Sequence, residues 1–206
     1  MSVPAQIDQQ STVTALLAQV AEVDDRGVFY EDTFVSWRDH IAAAAGLGAA
    51  LRARLDPDKP PHVGVLLGNT PFFSTMLVAA ALTGIVPVGL NPTRRGAALE
   101  RDVAHADCQL VLADNTADVT VPGMIDVESP SWQSELAGYD GTPVSFREAD
   151  PDELFMLIFT SGTSGDPKAV RCTQWKAAFP GVMLSGRFGL GTADVCYLSM
   201  PLFHSN

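Results

Sequence analysis

Between residues 62 and 113 the chain alternates short apolar runs with helix-like segments, and few folds accept that order. Val and Leu dominate residues 62–67, 85–90 and 109–113. Asn69 stands ahead of Pro71 as a cap for a helix running to about Leu82, with the proline in its first turn. Asn91-Pro92 leads into a second helical stretch at 93–104. Strands this apolar are buried on both faces, and connections this short return a helix over the sheet. The β-α-β-α-β order therefore predicts an α/β fold: parallel-sheet βαβ layers with flanking helices and right-handed crossovers.

The flanking segments read less regularly. Residues 1–10 are a polar, flexible tail, and 12–23 is a short helix. Residues 27–37 form a hairpin turning at Glu31-Asp32. Ser36 followed by Asp39 resembles a capping box that opens an alanine-rich helix to about Leu55, ended by Asp56-Pro57 and Pro60-Pro61. Beyond 114 the chain is looser, with a weak strand at 124–127 and a short helix at 132–136. A buried strand at 154–159, a helix at 174–187, a last strand at 195–199 and a loop at 201–206 complete the reading.

Directly after the strand at 154–159 comes Thr160-Ser161-Gly162-Thr163-Ser164-Gly165-Asp166-Pro167-Lys168, with four hydroxyls, two glycines and one lysine in a single turn. Glycines let backbone N–H groups approach an anion, hydroxyls add donors, and lysine adds a point charge. A polyphosphate suits that set, and the N-terminus of a following helix would add to it. The same residue types also make an ordinary surface loop. The run is not a Walker A loop, which needs Gly-Lys-Ser/Thr where this chain has Gly165-Asp166-Pro167. Gly46-Leu47-Gly48 lies inside a helical pattern, and Gly186, Gly189 and Gly191 have the wrong spacing for a dinucleotide fingerprint.

Composition narrows the partners. The net charge of −11 and a pI of about 4.6 argue against nucleic acid as a partner. The same charge repels nucleotides at long range, but screening limits this to roughly 8 Å, so local donors still win. With 47% hydrophobic residues the 206-residue chain has enough apolar material for a real core. Cys108, Cys172 and Cys196 show no C-x-x-C spacing, so neither a structural zinc site nor a disulfide framework is expected. No apolar run approaches the ~20 residues of a transmembrane segment. The expected setting is cytoplasmic.

The nine residues 160–168 match throughout the signature of the adenylate-forming superfamily, which includes acyl-CoA synthetases, luciferases and peptide-synthetase adenylation domains. Residues 81–114 resemble the upstream segment of that family, and Met200-Pro201-Leu202-Phe203-His204 resembles the Pro-Leu-Phe-His run of its CoA ligases. Bacterial fatty-acyl-CoA synthetases look most similar. Two departures stand out: Ala169 where the family usually has Gly, and Thr173-Gln174 where it often has Thr-His. Both fall on what reads as the lead-in to the helix.

The resemblance implies that 1–206 is an N-terminal fragment of an AMP-binding (adenylation) domain, with the C-terminal domain absent and the fragment inactive alone. It implies two half-reactions, ATP-dependent activation of a carboxylate and then thioesterification. The implied partners are a fatty acid or other carboxylic acid, with ATP, Mg2+ and coenzyme A. Thr160, Ser161, Thr163, Ser164 and Lys168 would hold the β- and γ-phosphates, with Gly162 and Gly165 permitting close approach. His204 would stand at the acyl carboxylate; its plainer reading is a histidine satisfied at a strand end. His40, His62 and His105 read as structural or surface residues, and Arg94 and Arg95 as a solvated helix start. Ser199 lacks the G-x-S-x-G elbow of a hydrolase. The alternatives are a non-catalytic binding or assembly module on the same fold, able to homodimerise, and a ligase for an aryl or other carboxylate.

Overall fold

A computed structural model describes residues 11–114, 121–160 and 168–203. Its centre is a six-stranded sheet. In chain order the strands are β3 (His62–Leu66), β4 (Val86–Gly89), β5 (Leu110–Ala113), β6 (Met124–Asp126), β7 (Leu154–Thr160) and β8 (Lys168–Thr173). Across the sheet they run β6-β5-β3-β4-β7-β8. Every neighbouring pair is parallel except β7 and β8, which are antiparallel. A separate antiparallel hairpin, β1 (Gly27–Tyr30) and β2 (Thr33–Ser36), precedes the sheet and turns at Glu31-Asp32 as its sequence predicts.

The helices sort by face. After β3 the chain moves one way through α3 (Pro71–Thr83) to β4, then back through α4 (Gly96–His105) to β5 on the far side of β3. A crossover that keeps its hand while reversing direction must change faces. The packing agrees. Val63, Val65, Leu110 and Leu112 join Phe73 and Met76 of α3 in one cluster. Val88, Val111 and Ala113 join Leu99 and Val103 of α4 in another. The side-chain period of a strand thus sends alternate residues of β5 to opposite helices. β7 departs from this alternation at its start. A register irregularity between Leu154 and Met156 puts Phe155 on the same side as Met156 and Ile158.

The first face is thickened by α2 (Trp37–Arg54), which begins at an Ser36 cap whose hydroxyl accepts the Asp39 N–H, 3.0 Å. Gly48 of α2 lies so close to α3 that a Cβ there would meet Thr83 Cγ2 at 2.6 Å. The Gly-Leu-Gly of this helix therefore serves helix packing. The short α1 (Val13–Ala18) docks on the same side, where the buried Gln174 side chain accepts the Val13 N–H at 3.0 Å. α5 (Pro130–Ala137) seats Trp132 against α2, with the Arg54 guanidinium over its ring.

Four elements differ from the sequence expectation. α3 is capped by Thr70 rather than Asn69. α4 starts three residues late, because Asn91 Oδ1 accepts both the N–H and the hydroxyl of Thr93 and holds that stretch as a turn. β8 occupies residues read as a loop, and α6 (Gln174–Phe188) follows it. The strand expected at 195–199 has no ladder partner among the described residues and runs exposed, with Val195 at 81% and Tyr197 at 92%.

Candidate active site at the carboxyl edge of the sheet

In an open parallel sheet, ligands bind beyond the carboxyl ends of the strands, near the point where the strand order reverses. Here the order reverses at β3 and β4. Three features of the sequence meet at that edge.

The first is the hydroxyl-rich loop. Residues 161–167 lie outside the described residues, so Ser161, Gly162, Thr163, Ser164 and Gly165 are placed only by their flanks. Those flanks are fixed: Thr160 closes β7, Lys168 opens β8, and their backbones are partners in the ladder. β7 and β8 are therefore consecutive antiparallel strands joined through these residues. This corrects the expectation that the loop leads into a helix. Six residues of β8 separate it from α6, so the α6 N-terminus is not the electropositive backing of the loop. Lys168 is exposed and free to face a ligand from the edge. Ala169, one of the family departures, lies in β8 against the α4-side cluster, and Gln174, the other, is the buried acceptor for α1. Thr173 caps α6 and Gln174 opens it, so that departure is helix lead-in as read, whereas Ala169 is a strand residue.

The second is the segment Met200–Phe203. It returns to the same edge and is held by Asn69, just past β3. Asn69 Nδ2 donates to the Met200 carbonyl at 2.8 Å, and Asn69 Oδ1 accepts the Leu202 N–H at 2.8 Å. Leu202 and Phe203 pack on the α3-side cluster. Phe203 also lies over the end of β4, where a Cβ on Gly89 would meet Phe203 O at 3.0 Å and Phe203 Cα at 3.1 Å. His204 itself, with Ser205 and Asn206, lies outside the described residues.

The third is the relation between the two. β4 and β7 are adjacent and in register at Gly89 and Ile158. Phe203 thus lies over the end of β4, and the strand beside β4, ~4.8 Å away in the hydrogen-bonding direction, is β7, which ends at Thr160. A ligand with an anionic end at the loop and a second group at the Phe203 segment fits that layout.

Sequence reasoning did not find Asn69 or Gly89 as parts of this edge. A signal for Asn69 was present. Pro favours the first helical position, which puts the cap at Thr70 and leaves Asn69 without a helical duty.

The other candidates are structural. His40 is buried with its Nε2 3.0 Å from the Ser74 hydroxyl, and burial lowers its pKa. His62 Nδ1 is 2.7 Å from the Ala106 carbonyl. The His105 ring lies 6.2 Å from that of Phe159. Arg94 corrects its expected role as a solvated helix start: it turns back onto buried Asp102, Nη2 to Oδ1 at 3.1 Å. Burial raises the Asp102 pKa, and the Arg94 charge opposes that rise. Arg95 spends its guanidinium on the backbone carbonyls of Pro92 and Arg94. Among the described residues, no cluster of three or more His, Cys, Asp or Glu side chains could hold a metal ion, and no helix is long and apolar enough to cross a membrane.

The chain is similar to known proteins. Medium/long-chain-fatty-acid–CoA ligase FadD17 of Mycobacterium tuberculosis is 64% identical over 200 residues, covering 95% of this chain and 39% of that protein. Steroid-22-oyl-CoA synthetase of Rhodococcus jostii is 36% identical over 208 residues, covering 96% of this chain and 37% of that protein. The chain thus spans about two-fifths of the length of these relatives. The crystal structure of VinN superposes with a TM-score of 0.82 at 23% identity, over 94% of this chain and 51% of that one. That likeness establishes the fold. The family model of AMP-binding enzymes matches residues 16–206, scaffold and carboxyl edge alike, and the chain belongs to that family.

Proposed function

We propose that this chain forms the pyrophosphate-gripping part of a fatty-acid–CoA ligase. The observation that carries the reading is the complete Thr160–Lys168 motif, with its ends at the carboxyl edge of a parallel sheet. The 64% identity to a medium/long-chain-fatty-acid–CoA ligase supports a fatty acid as the carboxylate.

In the first half-reaction a carboxylate oxygen attacks the α-phosphorus of ATP. The bond from that phosphorus to the bridging oxygen breaks, giving acyl-adenylate and pyrophosphate. Thr160, Ser161, Gly162, Thr163, Ser164, Gly165 and Lys168 hold the β- and γ-phosphates and stabilise the charge that gathers on the leaving pyrophosphate. Mg2+ comes with ATP and is held chiefly by its phosphates, as this ion prefers. In the second half-reaction the CoA sulfur attacks the acyl carbon and AMP leaves. His204, next to the anchored Phe203, serves the acyl carboxylate. These residues must release pyrophosphate before CoA reacts, so product release belongs to the cycle. The reaction runs in the cytoplasm, where ATP and CoA are available.

The test is fatty-acid-dependent exchange of labelled pyrophosphate into ATP, followed by acyl-CoA formation, in the natural polypeptide that carries this chain. Both activities are expected with medium or long acyl chains. Exchange with no carboxylate dependence, or none at all, would sink the reading. The 206-residue chain alone is expected to bind polyphosphate without turnover, since it spans 39% of its relative.

One observation favours a second reading, an assembly module that homodimerises. Phe188, Tyr197 and Leu198 are exposed along α6 and the segment after it. Gel filtration separates the readings: a concentration-independent monomer excludes the dimer.

A further inference from the structure

Asn69 lies just beyond β3 and does no duty for the helix that follows, since Thr70 caps α3. Both ends of its amide go instead to one distant piece of backbone. Nδ2 donates to Met200 O and Oδ1 accepts from Leu202 N, each at 2.8 Å, across more than 130 residues of sequence. A side-chain amide that donates and accepts in this way mimics a neighbouring strand and fixes both the position and the direction of the backbone it holds. Gly89 supplies the other wall. The Phe203 backbone lies where a Cβ of residue 89 would stand, with Phe203 O at 3.0 Å and Cα at 3.1 Å from that point. The residues just before it in the chain, Val195, Tyr197 and Leu198, are exposed and unpaired. The chain is therefore exposed until it reaches Asn69, and held from there to Phe203.

We propose that Asn69, with Gly89 as its backstop, is a positioning residue for carboxylate activation: it sets the Met200–Phe203 backbone at the carboxyl ends of β3 and β4, one strand from the phosphate turn. This rests on the ligase reading above. Asn69 touches no reacting atom. It acts by holding the chain segment that must meet the acyl carboxylate while the turn on β7 and β8 holds the phosphates. Misplacing a reacting group by about an ångström costs up to ~100-fold in rate, and the Asn69 amide fixes the backbone of this segment at both Met200 and Leu202.

Two measurements on the natural polypeptide test this. Amide hydrogen exchange at Leu202 reads the tether directly, whatever the activity. Asn69→Ala is expected to speed exchange there roughly 3- to 10-fold, the loss of about one hydrogen bond. Fatty-acid-dependent pyrophosphate exchange reads the consequence. The same variant is expected to lower kcat ~10- to 100-fold, with KM for ATP changed less than about twofold because the phosphate turn is untouched. Asn69→Asp keeps the acceptor for Leu202 and loses the donor to Met200, so it is expected to fall between wild type and Asn69→Ala. Gly89→Ala keeps both bonds yet pushes on Phe203, and is expected to lower kcat in the same way. Unchanged Leu202 exchange in Asn69→Ala would overturn the proposal. So would faster exchange with kcat held, or a matching rise in KM for ATP. A wild-type protein with no carboxylate-dependent exchange would instead overturn the ligase reading, while Leu202 exchange still decides whether Asn69 tethers the segment.

Discussion

The β3-α3-β4-α4-β5 half of the molecule and the β8-α6 half solve burial in opposite ways. In the first, β4 and β5 are buried along their whole length, and α3 hides Phe73, Met76 and all three of its alanines. In the second, β8 is largely exposed and α6 buries only Gln174 and Ala178. Phe179, Leu184 and Phe188 of α6 face solvent, as do Val195, Tyr197 and Leu198 beyond it. The difference teaches a division of labour. The first half is a self-sufficient scaffold whose free energy comes from apolar burial. The second carries the proposed phosphate-binding residues and the returning segment, and holds its shape through a few specific contacts: the β7–β8 ladder, the Gln174 bond to Val13 and the Asn69 tether.

The sharpest way to break that comparison is to truncate one phenylalanine in each half. Phe73→Ala empties a fully buried site and is expected to cost about 3–5 kcal/mol. Phe188, 67% exposed, should cost no more than ~0.5 kcal/mol when changed to Ala. Urea denaturation of both variants gives the two numbers, and similar costs would refute the division.

A smaller effect sharpens it at the scaffold's polar contact. Arg94→Ala leaves Asp102 buried without its counter-charge and is expected to destabilise by about 2–3 kcal/mol, the low end for a pair whose arginine remains partly exposed. The pH dependence carries a sign. The Asp102 pKa is raised by burial, so the folded chain binds the proton more tightly than the unfolded one. Stability is then favoured below the ordinary carboxylate value of 3.8 and falls as pH rises above it. Removing Arg94 raises that pKa further and steepens the fall. Melting curves from pH 3 to 7, a window chosen around the ordinary carboxylate range, check this; a variant with a flatter profile than wild type would refute it.

The gentlest test alters no residue. Cys108 packs in the scaffold, and burial pushes its pKa up to about 12. At pH 8 only roughly one molecule in ten thousand carries the thiolate there. Cys172 on β8 is half-buried, with its pKa raised by the same cause, and Cys196 is exposed. Labelling by a thiol reagent, read by mass spectrometry, should proceed Cys196, then Cys172, then Cys108. Early labelling of Cys108 would mean the scaffold opens before the edge does.

Legibility followed the same divide. The parallel core was readable because buried strands such as 110–113 are apolar without interruption and Pro71 marks a helix start. The hairpin at Glu31-Asp32 and the Ser36 cap were readable because turns and caps are local chemistry. β8 was not: Lys168-Ala169-Val170-Arg171-Cys172-Thr173 has a strand's pattern only once β7 is known to lie beside it. The strand expected at 195–199 failed for the converse reason, since alternation makes no strand without a ladder partner. At the site, the Thr160–Lys168 motif was visible at once because its chemistry is contiguous. Asn69 and Gly89 were not, because their partners lie more than a hundred residues away.

The most direct measurement is calorimetric titration of this chain with pyrophosphate and with Mg-ATP, wild type beside Lys168→Ala. The account predicts binding by the wild type and a ~10- to 100-fold weaker affinity in the variant, the loss of one charge-assisted contact. Equal binding by both, or none by a folded wild type, would contradict the claim that the β7–β8 turn grips the phosphates.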